Sequence, residues 1–144
     1  MLTDIFAAAP DSLSAYRAAG FPAPTSYGYP TVSARGVDPA ALAVMDMLLS
    51  GVSADQALAD ATRTPVDEPD LYTGPVVAVL SERIVRLLPA VGEDRLAELA
   101  ADWSAHVGLA SAPATAVATW LGELRRLFRR AVAERRLLFV WNCL

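Results

Sequence analysis

The feature that most constrains this chain is an apolar seam near its C-terminus. At 100° per residue, Val117, Trp120, Leu121, Leu124, Leu127, Phe128, Ala131 and Val132 fall within about 140° of a helical wheel. A helix with such a stripe has to lie against other elements. The pattern predicts one running from Ala112 or Pro113 to about Glu134, with the remaining elements packed around it. Alanine dominates much of the rest, at 7–9, 40–43, 57–61 and 110–118. It is the best helix former and the smallest core residue, so closely packed helices are the expected partners. With 144 residues, 54% of them hydrophobic and 19% charged, the chain has length and apolar content for one core rather than a disordered segment. The expectation is an all-α fold, a single domain over 1–144 of about six helices.

Capping residues and prolines mark the other elements. Thr3 to Ala9 is an apolar segment that meets Pro10, and a short helical run from Asp11 to Ala19 stops at Gly20. Residues 21–37, with three prolines and two glycines, disfavour helix and read as a long loop. Asp38 can cap, Pro39 suits a first helical position and Gly51 follows the end, which predicts a helix over 38–50. Ser53 and Gln56 form a capping box for a short helix to about Thr62, making a hairpin with its predecessor. The proline-rich, acidic stretch 63–75 reads as an exposed loop. A helix capped by Ser81 closes at Pro89 and Gly92. Another runs from Glu93 to His106, with Leu96, Leu99, Ala100 and Trp103 on one face, and the small-residue linker 107–112 follows it. Residues 76–80 and 137–141 are strand-like in composition, and their pairing would add at most a minor two-stranded element.

Charge divides the chain. Residues 125–136 carry six arginines and one acid, whereas residues 1–120 carry six arginines and fourteen acids. On the wheel Arg125, Arg129 and Arg136 fall near one another, and Arg126 and Arg130 form a second row beside the apolar seam. Such a face suits phosphates, but the whole chain has a net charge of −4 and carries no nucleic-acid-binding motif. For this face nucleic acid is therefore disfavoured against pairing with the chain's own acids, and an acidic protein partner or another copy of the chain stands level with it. Tyr27 and Tyr29 are the other binding candidates, because long loops often carry sites; the competing reading is that they and Phe21 cap the core.

Catalytic and metal chemistry find little support. Asp94, Glu98, Asp102 and His106 recur every four residues, yet the only histidine lacks the second-helix carboxylates and Glu-x-x-His units of a bundle metal site. A Cys143–His106 pair is the sole candidate for thiol catalysis, and a third, orienting group is not evident. No phosphate-binding glycine loop, nucleophile elbow or zinc-protease motif is present. No metal or cofactor is expected. One cysteine excludes an internal disulfide, no apolar run approaches the ~20 residues of a membrane span, and the first residues lack a basic leader, so a cytoplasmic location is expected.

The favoured reading is thus a non-enzymatic interaction module of a bacterial cytoplasm, of immunity, adaptor or regulatory-subunit type, binding a protein partner or itself. Two alternatives stand beside it. One is a nucleic-acid-associated accessory protein acting through Arg125–Arg136; the other is a small enzyme or ligand binder with its pocket under the 21–37 loop.

Overall fold

The computed structural model describes residues 1–62, 74–108 and 112–143. A four-stranded antiparallel sheet runs through the middle of the molecule, so the all-α expectation is wrong. Its strands are β1 (Leu2–Ala8), β2 (Thr31–Arg35), β3 (Val76–Val79) and β4 (Leu137–Cys143), in the order β2-β1-β4-β3. Six helices accompany them among the described residues: α1 (Leu13–Ala18), α2 (Pro39–Ser50), α3 (Ala54–Thr62), α4 (Glu82–Leu87), α5 (Glu93–His106) and α6 (Ala114–Ala133). The expected pairing of 76–80 with 137–141 is present, with Ala78 opposite Val140, but it is only one edge of the larger sheet.

The missing half of the sheet was hidden for physical reasons. β1 is central, paired with β2 through Ile5 and Val32 and with β4 through Ile5 and Val140. Both of its faces are covered, so Thr3 to Ala8 are all buried and the polar-apolar alternation of a one-sided strand is absent. Its alanines then resemble helix. β2 lies inside the segment expected to be loop; Pro30 precedes it, a position a strand tolerates at its start.

Helices cover one face of the sheet. Ile5 and Ala7 of β1 and Leu138 and Val140 of β4 meet Met45, Ile84, Leu99, Trp103, Leu121, Leu124 and Phe128 in a single core. α6 occupies the place its seam requires, and Trp103 and Trp120 join it to α5 by stacking at 5.4 Å, 8° from parallel. Trp120 is only half-buried, and its indole N–H donates to the Ser33 carbonyl at 3.0 Å, so it pins β2 rather than filling the centre. The caps of α2 follow the sequence: Ala41 N–H donates to Asp38 Oδ1 at 2.7 Å, and Gly51 takes φ +74°. Ser53 Oγ accepts from Gln56 N–H as expected, but the Gln56 amide turns forward to Asp60 instead of closing the box. Ser81 also departs from expectation, since its hydroxyl donates to Asp46 rather than capping α4.

Aromatic rings cover the other face. Phe6, Phe139 and Trp141 project there beneath Tyr16, Phe21 and Tyr29, all supplied by α1 and the chain around it. α1 ends with Gly20 N–H on Arg17 O and Phe21 N–H on Tyr16 O, a Schellman stop in which the Phe21 and Tyr16 rings touch at 5.3 Å. The same motif ends α6, with Arg135 N–H on Val132 O and Arg136 N–H on Ala131 O. There the left-handed position is held by Arg135, at φ +54°, instead of a glycine. This tight turn delivers the chain directly from α6 into β4.

Of the two predicted linkers, residues 63–73 and 109–111 lie outside the described residues.

Candidate interaction surface

The arginines of α6 do not form one uniform basic face. Arg125 is buried, because its position places it between α6 and the start of α5. Its Nη1 donates to Val91 O at 2.6 Å and its Nη2 pairs with Glu93, while Nε has no partner. Arg129 Nε donates to Pro89 O at 2.9 Å, which leaves its terminal nitrogens at the surface. Arg130 and Arg136 both pair with Glu134, at 2.9 and 3.0 Å, and hold its carboxyl below the ordinary value, Arg130 chiefly by hydrogen bonding. Arg126 is exposed and has no ion pair among the described residues. The shallow groove between α5 and α6 carries Arg126 and Arg129, but also Glu93.

Tyr27 and Tyr29 belong to the aromatic cover. Tyr29 stacks on Phe6 at 5.3 Å and its hydroxyl meets Ser12 Oγ at 3.0 Å; Tyr27 leans on Tyr16 at 5.1 Å and remains 38% exposed. Beneath them the Tyr16 hydroxyl donates to Pro22 O, and burial, with Tyr29 and Asp4 nearby, raises its pKa well above the ordinary tyrosine value. The capping reading of these aromatics accounts for their contacts.

His106 and Cys143 lie on opposite sides of the sheet. His106 ends α5 on the helical side and its Nδ1 meets the Asp102 backbone carbonyl at 2.7 Å; Cys143 packs at the margin of the aromatic cluster. Among the described residues, no group of three or more His, Cys, Asp or Glu side chains is arranged to hold a metal ion. Nor is any described helix long and apolar enough to cross a membrane.

The surface that stands out shares Arg129 and Arg136 with the sequence candidates, but its apolar part was not among them. Between the end of β3, α4, the last turn of α6 and the start of β4 runs an open groove of about 540 Å³. At its margin Val132 is 59% exposed; Leu137 at 46% and Val79 at 38% are exposed there too, but the register sets them on the aromatic face of the sheet, Val79 opposite Phe139 and Leu137 opposite Ala8. Arg86, Arg129 and Arg136 border it, against a single acid, Glu82. Arg86 is exposed and makes no ion pair among the described residues. The sequence did hold a signal, since Val132 lies on the apolar arc of α6 and Leu137 opens a strand, yet neither is covered.

Comparison of the chain with protein-family models, with curated proteins and with solved structures yields no match.

Proposed function

We propose that this chain is a non-enzymatic protein-interaction module whose groove takes an acidic, amphipathic segment of a partner protein. The observation that carries the reading is the coincidence of exposed Val132 with the arginines Arg86, Arg129 and Arg136, at a sheet edge where Val79 and Leu137 are exposed on the opposite face. Apolar side chains of the partner would displace water from the aliphatic floor, while its carboxylates would meet guanidinium groups at the rim. Arginine is suited to this because its planar fork binds carboxylates in pairs and its charge persists at any physiological pH. The rim pairs set orientation and encounter rate, and the desolvated floor supplies most of the affinity.

The test is a selection of peptides from a random library against the immobilised protein, followed by titration of the winners in solution. Enriched peptides should be acidic with interspersed Leu, Val or Phe, should bind more weakly as salt rises, and should lose binding to Val132→Asp. Absence of enrichment, enrichment of basic peptides, or binding indifferent to Val132→Asp would overturn the proposal. So would a dimer in sedimentation that dissociates on Leu137→Asp, since a second copy would then occupy the groove.

The nucleic-acid reading rests on Arg126, Arg135 and the terminal nitrogens of Arg129. Among the described residues the arginines of that face without an ion pair are few, and affinity for nucleic acid grows with the number of phosphates neutralised. An oligonucleotide titration near physiological salt should be flat. Saturable, salt-sensitive binding lost on Arg126→Glu and Arg130→Glu would reverse this ranking.

A further inference from the structure

A second cavity lies on the helical side of the sheet, between α2, α3, β3, α4 and β4. It encloses about 190 Å³, and its walls include Leu42, Ala57, Ala61, Ala78, Ile84 and Val140. The alanines leave the space; larger aliphatic residues at those positions would fill it. An apolar cavity of about 150 Å³ stays dry and accepts benzene, so this one has room for a ring with a substituent or a small bicycle.

Its polar groups are almost all committed. Asp46, 1% exposed, receives Arg83 through Nε and Nη2, the latter at 2.6 Å, together with the hydroxyl of Ser81 at 3.0 Å, while the Ser50 hydroxyl donates to the Asp46 backbone carbonyl at 2.7 Å. Asn142 is the exception. Thr3 Oγ1 lies within hydrogen-bond distance of both the Val37 carbonyl and one end of the Asn142 amide, the latter at 2.8 Å. The Val37 carbonyl can only accept, and a hydroxyl has one proton. That proton is therefore spent on Val37, and the Asn142 group facing Thr3 is its N–H, donating to Oγ1. Oxygen and nitrogen of an amide are assigned by this kind of network argument. The Asn142 carbonyl oxygen is then the end turned away from Thr3, in a residue that lines the cavity.

We propose that this cavity is a binding site for a small planar aromatic molecule carrying one N–H or O–H donor, of the size of phenol or indole. The ring fills the space left by the alanines, and the donor meets the Asn142 carbonyl oxygen. One hydrogen bond in an apolar site fixes orientation and rejects molecules of the same shape that lack the donor. The site does not depend on the groove, although Val79 and Leu80 border both.

The experiment is a titration of the whole protein with phenol, indole and the donor-free isostere toluene, followed by calorimetry and by ligand-to-methyl nuclear Overhauser effects. Phenol and indole should bind saturably and show contacts to the methyls of Leu42, Ile84 and Val140. Phenol should bind about fivefold to tenfold more tightly than toluene, the worth of one good hydrogen bond. Asn142→Leu should bring that ratio close to one, and Ala57→Leu should remove binding of all three. Should either variant fail to fold, the Overhauser contacts and the phenol-to-toluene ratio in the unaltered protein decide the matter. No saturable binding, contacts to other methyls, or toluene binding as well as phenol would overturn the proposal.

Discussion

The two faces of the sheet are covered by different means. On the aromatic side, a local stretch of chain folds over β1 and β4 and lays Tyr16 against Phe6, Phe21, Tyr27 and Tyr29, with ring centroids 5.1 to 5.5 Å apart. On the helical side, four helices from distant parts of the sequence, α2, α4, α5 and α6, meet the same strands. Large rings close a surface with few residues and little backbone. The helices cover the middle of the sheet, and at the β3 edge they leave a cavity walled in part by alanines and an open groove. The aromatic side is thus closed along β1 and β4, whereas the helical side keeps open space at the β3 edge.

The strongest way to break this contrast is to truncate a ring. Tyr16 is completely buried and touches four other aromatics, so Tyr16→Ala should lose on the order of 3 to 5 kcal/mol in urea denaturation. A loss below about 1 kcal/mol would mean that the aromatic cover contributes little to the fold. Tyr16 also gives a pH signature. Its raised pKa keeps it protonated in the folded chain after the unfolded chain has begun to ionise, so stability should fall as pH rises beyond the ordinary tyrosine value near 10. Tyr16→Phe should flatten that part of the stability profile.

Enlargement sharpens the contrast because its sign should differ between the faces. Ala8 is completely buried on the aromatic side, so Ala8→Leu should cost about 1 to 3 kcal/mol by overpacking. Ala78 lines the cavity and lies in a strand, where a β-branched residue is favoured; Ala78→Val should be neutral or stabilising by up to about 1 kcal/mol. Equal losses at the two sites would show that the helical side is as tightly filled as the aromatic one.

A smaller effect is expected at the turn that joins α6 to the sheet. Arg135 holds a left-handed conformation that glycine adopts without steric penalty, so Arg135→Gly should raise stability by roughly 0.5 to 1 kcal/mol. No gain would place its side chain in a compensating contact.

The sequence made the helices legible and the sheet only in part. Asp38, Pro39 and Gly51 mark α2 because caps act locally, and the bounds of α5 agree at Glu93 and His106. β1 escaped detection because its pairing with β4 joins Leu2 to Cys143 across the whole chain, and no local pattern records it. Helix content was not the failing, since 59% of the structure is helical; the error lay in reading alanine as helix where two-sided burial makes a strand. At the candidate surface, the wheel placed the arginines beside the seam but could not show that Arg125 bonds to Val91 and Glu93, or that Glu134 takes up Arg130 and Arg136. Arg86 and Val79 join Val132 only through tertiary structure.

The central claim is that partner binding belongs to the groove beside Val132 at the β3 edge of the sheet and not to the aromatic cover. Its most direct test is the affinity of a selected acidic peptide for two variants, Val132→Asp and Tyr27→Ala, each first shown to be folded. Val132→Asp should weaken binding by at least about tenfold, since it puts a carboxylate on the apolar floor facing an acidic partner, and Tyr27→Ala should leave affinity within about twofold. The reverse order, with Tyr27 essential and Val132 indifferent, would contradict the account and move the binding surface to the aromatic face.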